Sequence, residues 1–153
     1  RRRNMKIAVS SDHAGYDLKK EVVKHLKEKG VKFKDMGTFG RKSVDYPDYT
    51  YKVVKSVLDG PSDRGIVLCG TGIGSSIAAN RFAGIRAALA RDEFEAEMSR
   101  SHNDSNVLVL GGRVLGPGLM KRIVDKWLST PFEGGRHLKR LKKLESMAGK
   151  RGC

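Results

Sequence analysis

Short apolar runs alternate with amphipathic stretches along most of the chain. Ile7-Ala8-Val9, within Lys6 to Ser11, reads as a buried strand, and Asp12-His13-Ala14-Gly15 follows as a turn. Over residues 16–29, Leu18, Val22 and Leu26 recur at i, i+4, i+8 among Lys and Glu, which predicts a helix that Gly30 stops. Val31-Lys32-Phe33-Lys34 alternates apolar with basic, the pattern of a half-exposed edge strand. Residues 37–47 read as a loop closed by Asp45-Tyr46-Pro47, with a helix over about 48–58 ended by Asp59-Gly60-Pro61. Gly65 to Cys69 is the third strand, and its helix covers roughly 74–82. Ile85 to Ala90 is the fourth strand, Asp92 to Ser101 a helix, His102 to Ser105 a turn, and Asn106 to Leu110 the fifth strand. Pro117 opens a helix whose apolar face is Leu119, Ile123, Val124, Trp127 and Leu128. After a break at 131–135, a last helix over about 136–147 sets Leu138, Leu141, Leu144 and Ala148 on one narrow face. That face calls for a partner, and another subunit is one candidate.

Strands alternating with helices predict an α/β domain. The expected form is a three-layer Rossmann-like fold: a five-stranded parallel sheet with helices on both faces and right-handed crossovers. With strand two at an edge, the expected order is 2-1-3-4-5. Ligands in such sheets gather outside the carboxyl ends of the strands, at the switch between strands one and three. Asp12 and His13 stand on one side of that switch, and residues 69–74 on the other. The single domain is expected over 5–148, with 1–4 and 149–153 as disordered extensions. No segment approaches the length of a bilayer span, and no signal-peptide pattern is present. Two cysteines, one of them the last residue, make no disulfide framework, so a reducing cytoplasm is the expected setting.

The stretch at the switch is Cys69-Gly70-Thr71-Gly72-Ile73-Gly74-Ser75-Ser76. A Gly-rich turn from strand into helix aims several backbone amides into one small space, and the helix start adds partial positive charge. Such a nest suits a phosphate or a developing oxyanion. A cysteine at its lip can act there as base or nucleophile. The plainer alternative is a buried strand-end cysteine beside a tight turn. The glycine pattern is G-x-G-x-G after the third strand, so the dinucleotide fingerprint is poorly matched, and no Gly-Lys-Ser/Thr follows to make a Walker loop. The cysteine and scattered histidines show no metal-ligand spacing.

Charge adds a question about partners. The formal net charge is +14, with Arg1-Arg2-Arg3 at one end and Lys139, Arg140, Lys142, Lys143, Lys150 and Arg151 at the other. Nucleic acid, anionic membrane and phosphorylated small molecules all fit such a charge, as does a solvated basic surface. A basic nucleic-acid-binding protein is the alternative from another functional class. It lacks an interleaved aromatic-and-basic motif. Arg136 and Arg140 are i, i+4 neighbours able to grip one phosphate, or else part of a basic helix face. Arg113, after strand five, is a weaker candidate of the same kind. His102 at a helix end reads as a C-terminal cap in the simplest view. Cys69 lies at the carboxyl end of strand three and His102 at the amino end of strand five, roughly 15–20 Å apart. If both act on one small substrate, they do so across a dimer interface.

Seven motifs together resemble the B-type ribose-5-phosphate isomerases and the related lactose-pathway galactose-6-phosphate isomerase subunits. They are Asp12-His13-Ala14-Gly15, Asp45-Tyr46-Pro47, Cys69 to Gly74 with Ser76 to Asn80, Gly84-Ile85-Arg86-Ala87, His102-Asn103 and Gly134-Gly135-Arg136-His137. The resemblance implies a metal-free and cofactor-free aldose–ketose isomerase of ribose 5-phosphate and ribulose 5-phosphate, in the non-oxidative pentose phosphate pathway. It implies Cys69 as the base between C1 and C2, and Thr71 as an aid to proton transfer at the oxygens. The amides of Gly70, Gly72 and Gly74 with their neighbours would hold the enediolate, and His102 would open the furanose ring. Asp12, Tyr46 and Asn103 would contact the sugar, and His13, Arg113, Arg136 and Arg140 the phosphate. Some relatives place a Glu base where this chain has Ser75, so this is the cysteine type. A 6-phosphohexose isomerase is the neighbouring alternative. The implied partners are a phosphorylated pentose and a second subunit, as a homodimer or tetramer, without nucleic acid or membrane.

Overall fold

Strands and helices alternate as far as the fifth helix in the computed structural model, which describes residues 4–148 and 150. In chain order they are β1 (Lys6–Ser11), α1 (Tyr16–Glu28), β2 (Lys32–Asp35), α2 (Tyr46–Asp59) and β3 (Arg64–Cys69). Next come α3 (Ile73–Ala79), β4 (Ala87–Leu89), α4 (Glu93–Ser101), β5 (Val107–Gly111), α5 (Pro117–Ser129) and α6 (Arg136–Ser146). Apart from Asn4 and Lys150, the expected terminal extensions lie outside the described residues, Cys153 among them. α2 begins two residues earlier than its apolar pattern suggests, because Pro47 fits the first turn, where its missing amide costs nothing. Among the described residues, no helix is long and apolar enough to cross a membrane.

The five strands form one parallel sheet in the order β2-β1-β3-β5-β4. The expected order 2-1-3-4-5 is therefore corrected: β5, not β4, lies beside β3. Burial explains the difference. Val107-Leu108-Val109-Leu110 is apolar throughout and fully buried, as a central parallel strand must be. β4 is three residues long and only half-buried, which suits an edge. The switch between β1 and β3 remains as expected.

Side chains leave each central strand on alternate faces. Ile7, Val9, Ile66, Leu68, Leu108 and Leu110 join Leu18, Val22 and Leu26 of α1 and Met120, Ile123, Val124 and Trp127 of α5 in the larger cluster. Ala96 of α4 completes that face. Ala8, Val67, Val107 and Val109 pack on the other side with Val53 and Val54 of α2 and Ala79 of α3. Large residues fill one face and small ones the other, so α2 approaches the sheet closely. Gly65 on β3 marks the closest approach, since a Cβ there would run into the Val53 side chain.

Gly65→Ala should therefore lower stability by about 1–3 kcal/mol, through overpacking. A reduced urea midpoint at unchanged slope would report it. A variant as stable as the parent would show that α2 can shift at no cost.

Candidate active site

Three loops meet at the carboxyl edge of the sheet. The loop after β1 carries Asp12, whose Oδ1 accepts from the Gly15 amide (2.9 Å). The loop after β3 carries Cys69 to Gly72. The turn after β5 lies against it: Gly112 donates to the Cys69 carbonyl (2.8 Å) and Arg113 to the Gly70 carbonyl (2.9 Å). Glycine is required for this approach. A Cβ on Gly112 would sit 2.8 Å from the Ala14 carbonyl oxygen, and one on Gly111 2.7 Å from that of Thr71. Gly72 caps α3 at φ 82°, where an L side chain is strained. Cys69 is a free thiol and is buried, at 4% exposure. Thr71 is exposed, and its Oγ1 accepts from the Ile73 amide (3.2 Å), so that amide is already capped. The next amides of the first turn of α3 have no intrahelical partner by position.

Tyr46 and His13 close the flank of this edge. The Tyr46 ring lies over Gly74, so close that a Cβ there would fall 2.6 Å from ring carbon Cζ. Thr50 Oγ1 lies 2.9 Å from the Tyr46 carbonyl and 3.2 Å from Ser75 Oγ, tying α2 to α3. Ser75 is buried in that contact. His13 Nδ1 meets the Val44 backbone at its amide (3.1 Å) and its carbonyl (3.2 Å). Lys19 holds the start of the same loop. It is buried, with Nζ 2.6 Å from both Asp35 Oδ1 and the Thr38 carbonyl.

A second group collects at the amino edge. His102 caps the C-terminus of α4 and stacks on His137, with ring centroids 4.2 Å apart and planes within 13°. His137 is buried at 5% exposure. Burial, with the charges of His102 and Arg136, holds its imidazole below the ordinary pKa, and Glu133 at 3.3 Å opposes them. Arg136 and Arg140 lie on the exposed flank of the same helix, α6. Arg86 spans the group. Its Nε donates to the carbonyls of Asn103 (3.0 Å) and Asp104 (3.1 Å), and its Nη1 to Glu145 of α6 (2.9 Å). Arg100 Nη1 holds Asp104 Oδ1 (2.8 Å) and the Ser105 carbonyl (2.7 Å) from the other side.

The anticipated site residues thus fall into two sets. Asp12, His13, Tyr46, Cys69, Gly70, Thr71, Gly72, Gly74 and Arg113 share the carboxyl edge. His102, Asn103, Arg136 and Arg140 share the amino edge. Cys69 is paired in register with Gly111 while His102 precedes Val107, so the length of β5, roughly 15 Å, separates the two sets.

The model of the ribose/galactose isomerase family matches residues 7–144. The chain belongs to that family. Ribose-5-phosphate isomerase B of Escherichia coli is 49% identical over 95% of this chain and 98% of that protein. A putative sugar phosphate isomerase of Bacillus subtilis is 50% identical over 92% and 95% of the two chains. The crystal structure of ribose 5-phosphate isomerase B from Thermotoga maritima superimposes with a TM-score of 0.92 at 53% identity, over 94% of this chain and 99% of that one.

Within this ribose/galactose isomerase, the correction to strand order changes the standing of Arg113. With β5 beside β3, a Cβ on Gly70 would lie 3.5 Å from Arg113 Nη1, so the weaker arginine candidate is a neighbour of the glycine loop. Arg86 and His137 stand in the motifs of the chain without a role legible from the sequence, and Glu133 stands in no motif. The signal for Arg86 and His137 was their presence in the Gly84–Ala87 and Gly134–His137 motifs, whereas Glu133 lies just outside the second and carried none.

Arg86→Met should loosen the segment behind His102. Amide exchange at Asp104 and Ser105 should quicken by about tenfold or more, beyond what the change in global stability accounts for. Exchange that tracks global unfolding alone would deny Arg86 this local role.

Proposed function

We propose that the chain interconverts D-ribose 5-phosphate and D-ribulose 5-phosphate through an enediolate, as a step of the non-oxidative pentose phosphate pathway. The observation that carries this is the buried thiol of Cys69 at the lip of a glycine turn whose Gly70 lies against Arg113 and whose Gly74 lies against Tyr46, with the Asp12 amide bonded to the preceding Leu68 carbonyl. The names of relatives near 50% identity support the pentose over a 6-phosphohexose. The reaction needs one mobile base, an oxyanion site and a phosphate anchor. His102 opens the furanose and frees the aldehyde. Cys69, acting as thiolate, removes the proton from C2. The electron pair forms the C1–C2 double bond, and charge moves onto O1 before the glycine-loop amides. Thr71 assists proton transfer between the oxygens. The proton then returns from Cys69 to C1, and C2 becomes the ketone. Asp12, Tyr46 and Asn103 hold the sugar hydroxyls. His13, Arg113, Arg136 and Arg140 hold the phosphate, whose binding positions carbons remote from it. Nothing in this sequence of steps calls for a cofactor. A reducing cytoplasmic setting belongs to the same reading, since Cys69 must remain a free thiol.

Two sets of residues at opposite edges act on one sugar only if two chains supply them. The reading therefore includes a homodimer, with Cys69 of one subunit opposite His102 of the other. Exposed apolar side chains support it: Tyr51, Ile73 and Ile77 on the outer surface of α2 and α3, and Leu138 and Leu144 on α6.

A coupled assay with ribose 5-phosphate, run beside allose and galactose 6-phosphates, tests the activity. The parent should turn over the pentose best, with or without chelator. Cys69→Ala should retain the fold and lose at least about 10³-fold in kcat, the scale on which a proton-transfer group acts. Near-normal turnover by folded Cys69→Ala would remove the thiol from the mechanism.

Mixing inactive Cys69→Ala with inactive His102→Ala under subunit exchange tests the shared site. Random mixing makes half the dimers hybrid, and each hybrid has one intact site, so about a quarter of parental activity should return. Confirmed hybrids without activity would place both residues in the same subunit's site.

A further inference from the structure

Three side chains with no joint role in the proposed reaction converge at the amino edge. Ring nitrogens of His102 and His137 and a carboxylate oxygen of Glu133 all lie within 4.8 Å of one another. His137 Nε2 is buried without a hydrogen-bond partner, and Glu133 Oε2 lies 3.3 Å from it. We propose that His102, Glu133 and His137 form an inhibitory site for a divalent transition-metal ion of the zinc type. The binding claim stands on this juxtaposition alone; the inhibition rests on the ring-opening role given to His102 above.

Two imidazoles and a carboxylate suit Zn²⁺, Co²⁺ or Ni²⁺ and not the oxygen-seeking Mg²⁺ or Ca²⁺. Arg136 and Arg140 act on the charge at His137 and oppose any cation, so the site selects ions that bond imidazole strongly over ions held by charge. Stacking shapes the outcome further. Imidazole lone pairs lie in the ring planes, and the two planes here are within 13° of parallel at a centroid distance of 4.2 Å. Nearly parallel planes do not meet at one point. Bonds of about 2.0–2.2 Å would bring tetrahedral ligand atoms to about 3.3 Å apart. His137 is buried and held in α6, whereas His102 is half-buried and its ring has no hydrogen bond among the described residues. His102 is therefore the group that turns. The stacked and metal-bound arrangements exclude each other, and the ion removes His102 from its stacked position. A water fills the fourth position.

The test uses the full chain carrying Cys69→Ala and Cys153→Ala, so that no thiol can bind the probe. Titration with Co²⁺ should saturate at a single ion per chain. Visible ligand-field absorption of a four-coordinate centre should appear without a thiolate charge-transfer band. Glu133→Gln and His137→Ala should each weaken binding by about tenfold or more. Glu133 is exposed, so its variant keeps the comparison secure if His137→Ala fails to fold. With thiols intact, Zn²⁺ should inhibit ribose 5-phosphate turnover, EDTA should reverse it, and Glu133→Gln should shift the dose upward by a similar factor. Co²⁺ uptake that never saturates, or that is unchanged in folded Glu133→Gln, overturns the site. Zn²⁺ inhibition insensitive to Glu133→Gln overturns the inhibitory role. A failed cobalt titration leaves the isomerase reading intact, and an inactive parent leaves the cobalt result intact.

Discussion

Two backbone hydrogen bonds, from Gly112 to the Cys69 carbonyl and from Arg113 to the Gly70 carbonyl, hold the glycine loop in place. They exist only because β5 is inserted between β3 and β4. That insertion brings the turn after β5 onto the loop after β3 at backbone distance, and it leaves no room for a Cβ at Gly111 or Gly112. The loop after β1 joins the same contact, through the Asp12 amide on the Leu68 carbonyl (3.2 Å). Three loops thus share one backbone network. A site on such a network is positioned by the sheet and does not depend on side-chain order alone. Cys69, Asp12 and Arg113 inherit that fixity from strands that are buried on both faces.

The amino edge is held by charge. Arg86 and Arg100 both reach Asp104, at 3.5 and 2.8 Å, and Arg86 also reaches Glu145. Ion pairs that are partly buried in this way add little net stability, but the loss of one member leaves the others uncompensated. Such a network specifies a geometry. Here it sets the turn that carries His102 and Asn103 against the helix that carries Arg136, His137 and Arg140. Asp104, at φ 46°, lies in the left-handed region that this turn demands. Trp127 reinforces it from the core, since its Nε1 donates to Ser105 Oγ (2.8 Å), which pairs with Ser99 Oγ (2.9 Å).

Legibility in the sequence followed the range of the interaction. Leu18, Val22 and Leu26 announced α1 because a helix face is a local pattern, and Cys69 to Gly74 announced the turn after β3 because glycine spacing is local too. Strand order is not local. The contrast between Val107-Leu108-Val109-Leu110, apolar throughout, and the Ala-Ala-Leu of β4 was present in the chain, yet counting strands in order passed over it. Arg113 was undervalued for the same reason: its place beside Gly70 depends on which strand lies next to β3. The gathering of His102, Glu133 and His137 was less legible still. The three are separated by up to 35 positions in the chain (102 to 137) and meet only because α6 returns to the end of α4. No ligand spacing announces a cluster closed by tertiary packing.

Each edge of the sheet is chemically incomplete alone. The carboxyl edge holds a thiol, an amide nest and one candidate phosphate arginine, but no imidazole other than His13, whose Nδ1 is engaged by Val44. The amino edge holds the imidazoles of His102 and His137, and Arg136 and Arg140, two arginines without ion-pair partners among the described residues, but no thiol among the described residues. Roughly 15 Å of strand keeps the sets apart within one chain, and a phosphorylated five-carbon sugar is shorter than that. Under the proposed reaction, symmetry resolves the mismatch. In a two-fold dimer, any contact from the carboxyl edge of one chain to the amino edge of its partner is made twice. One interface then completes two sites. The exposed apolar residues of α2, α3 and α6 give that interface something to bury, which the isolated chain leaves facing solvent. Binding, folding and assembly would then be linked, since a substrate held by both chains stabilises the pair over its separate members.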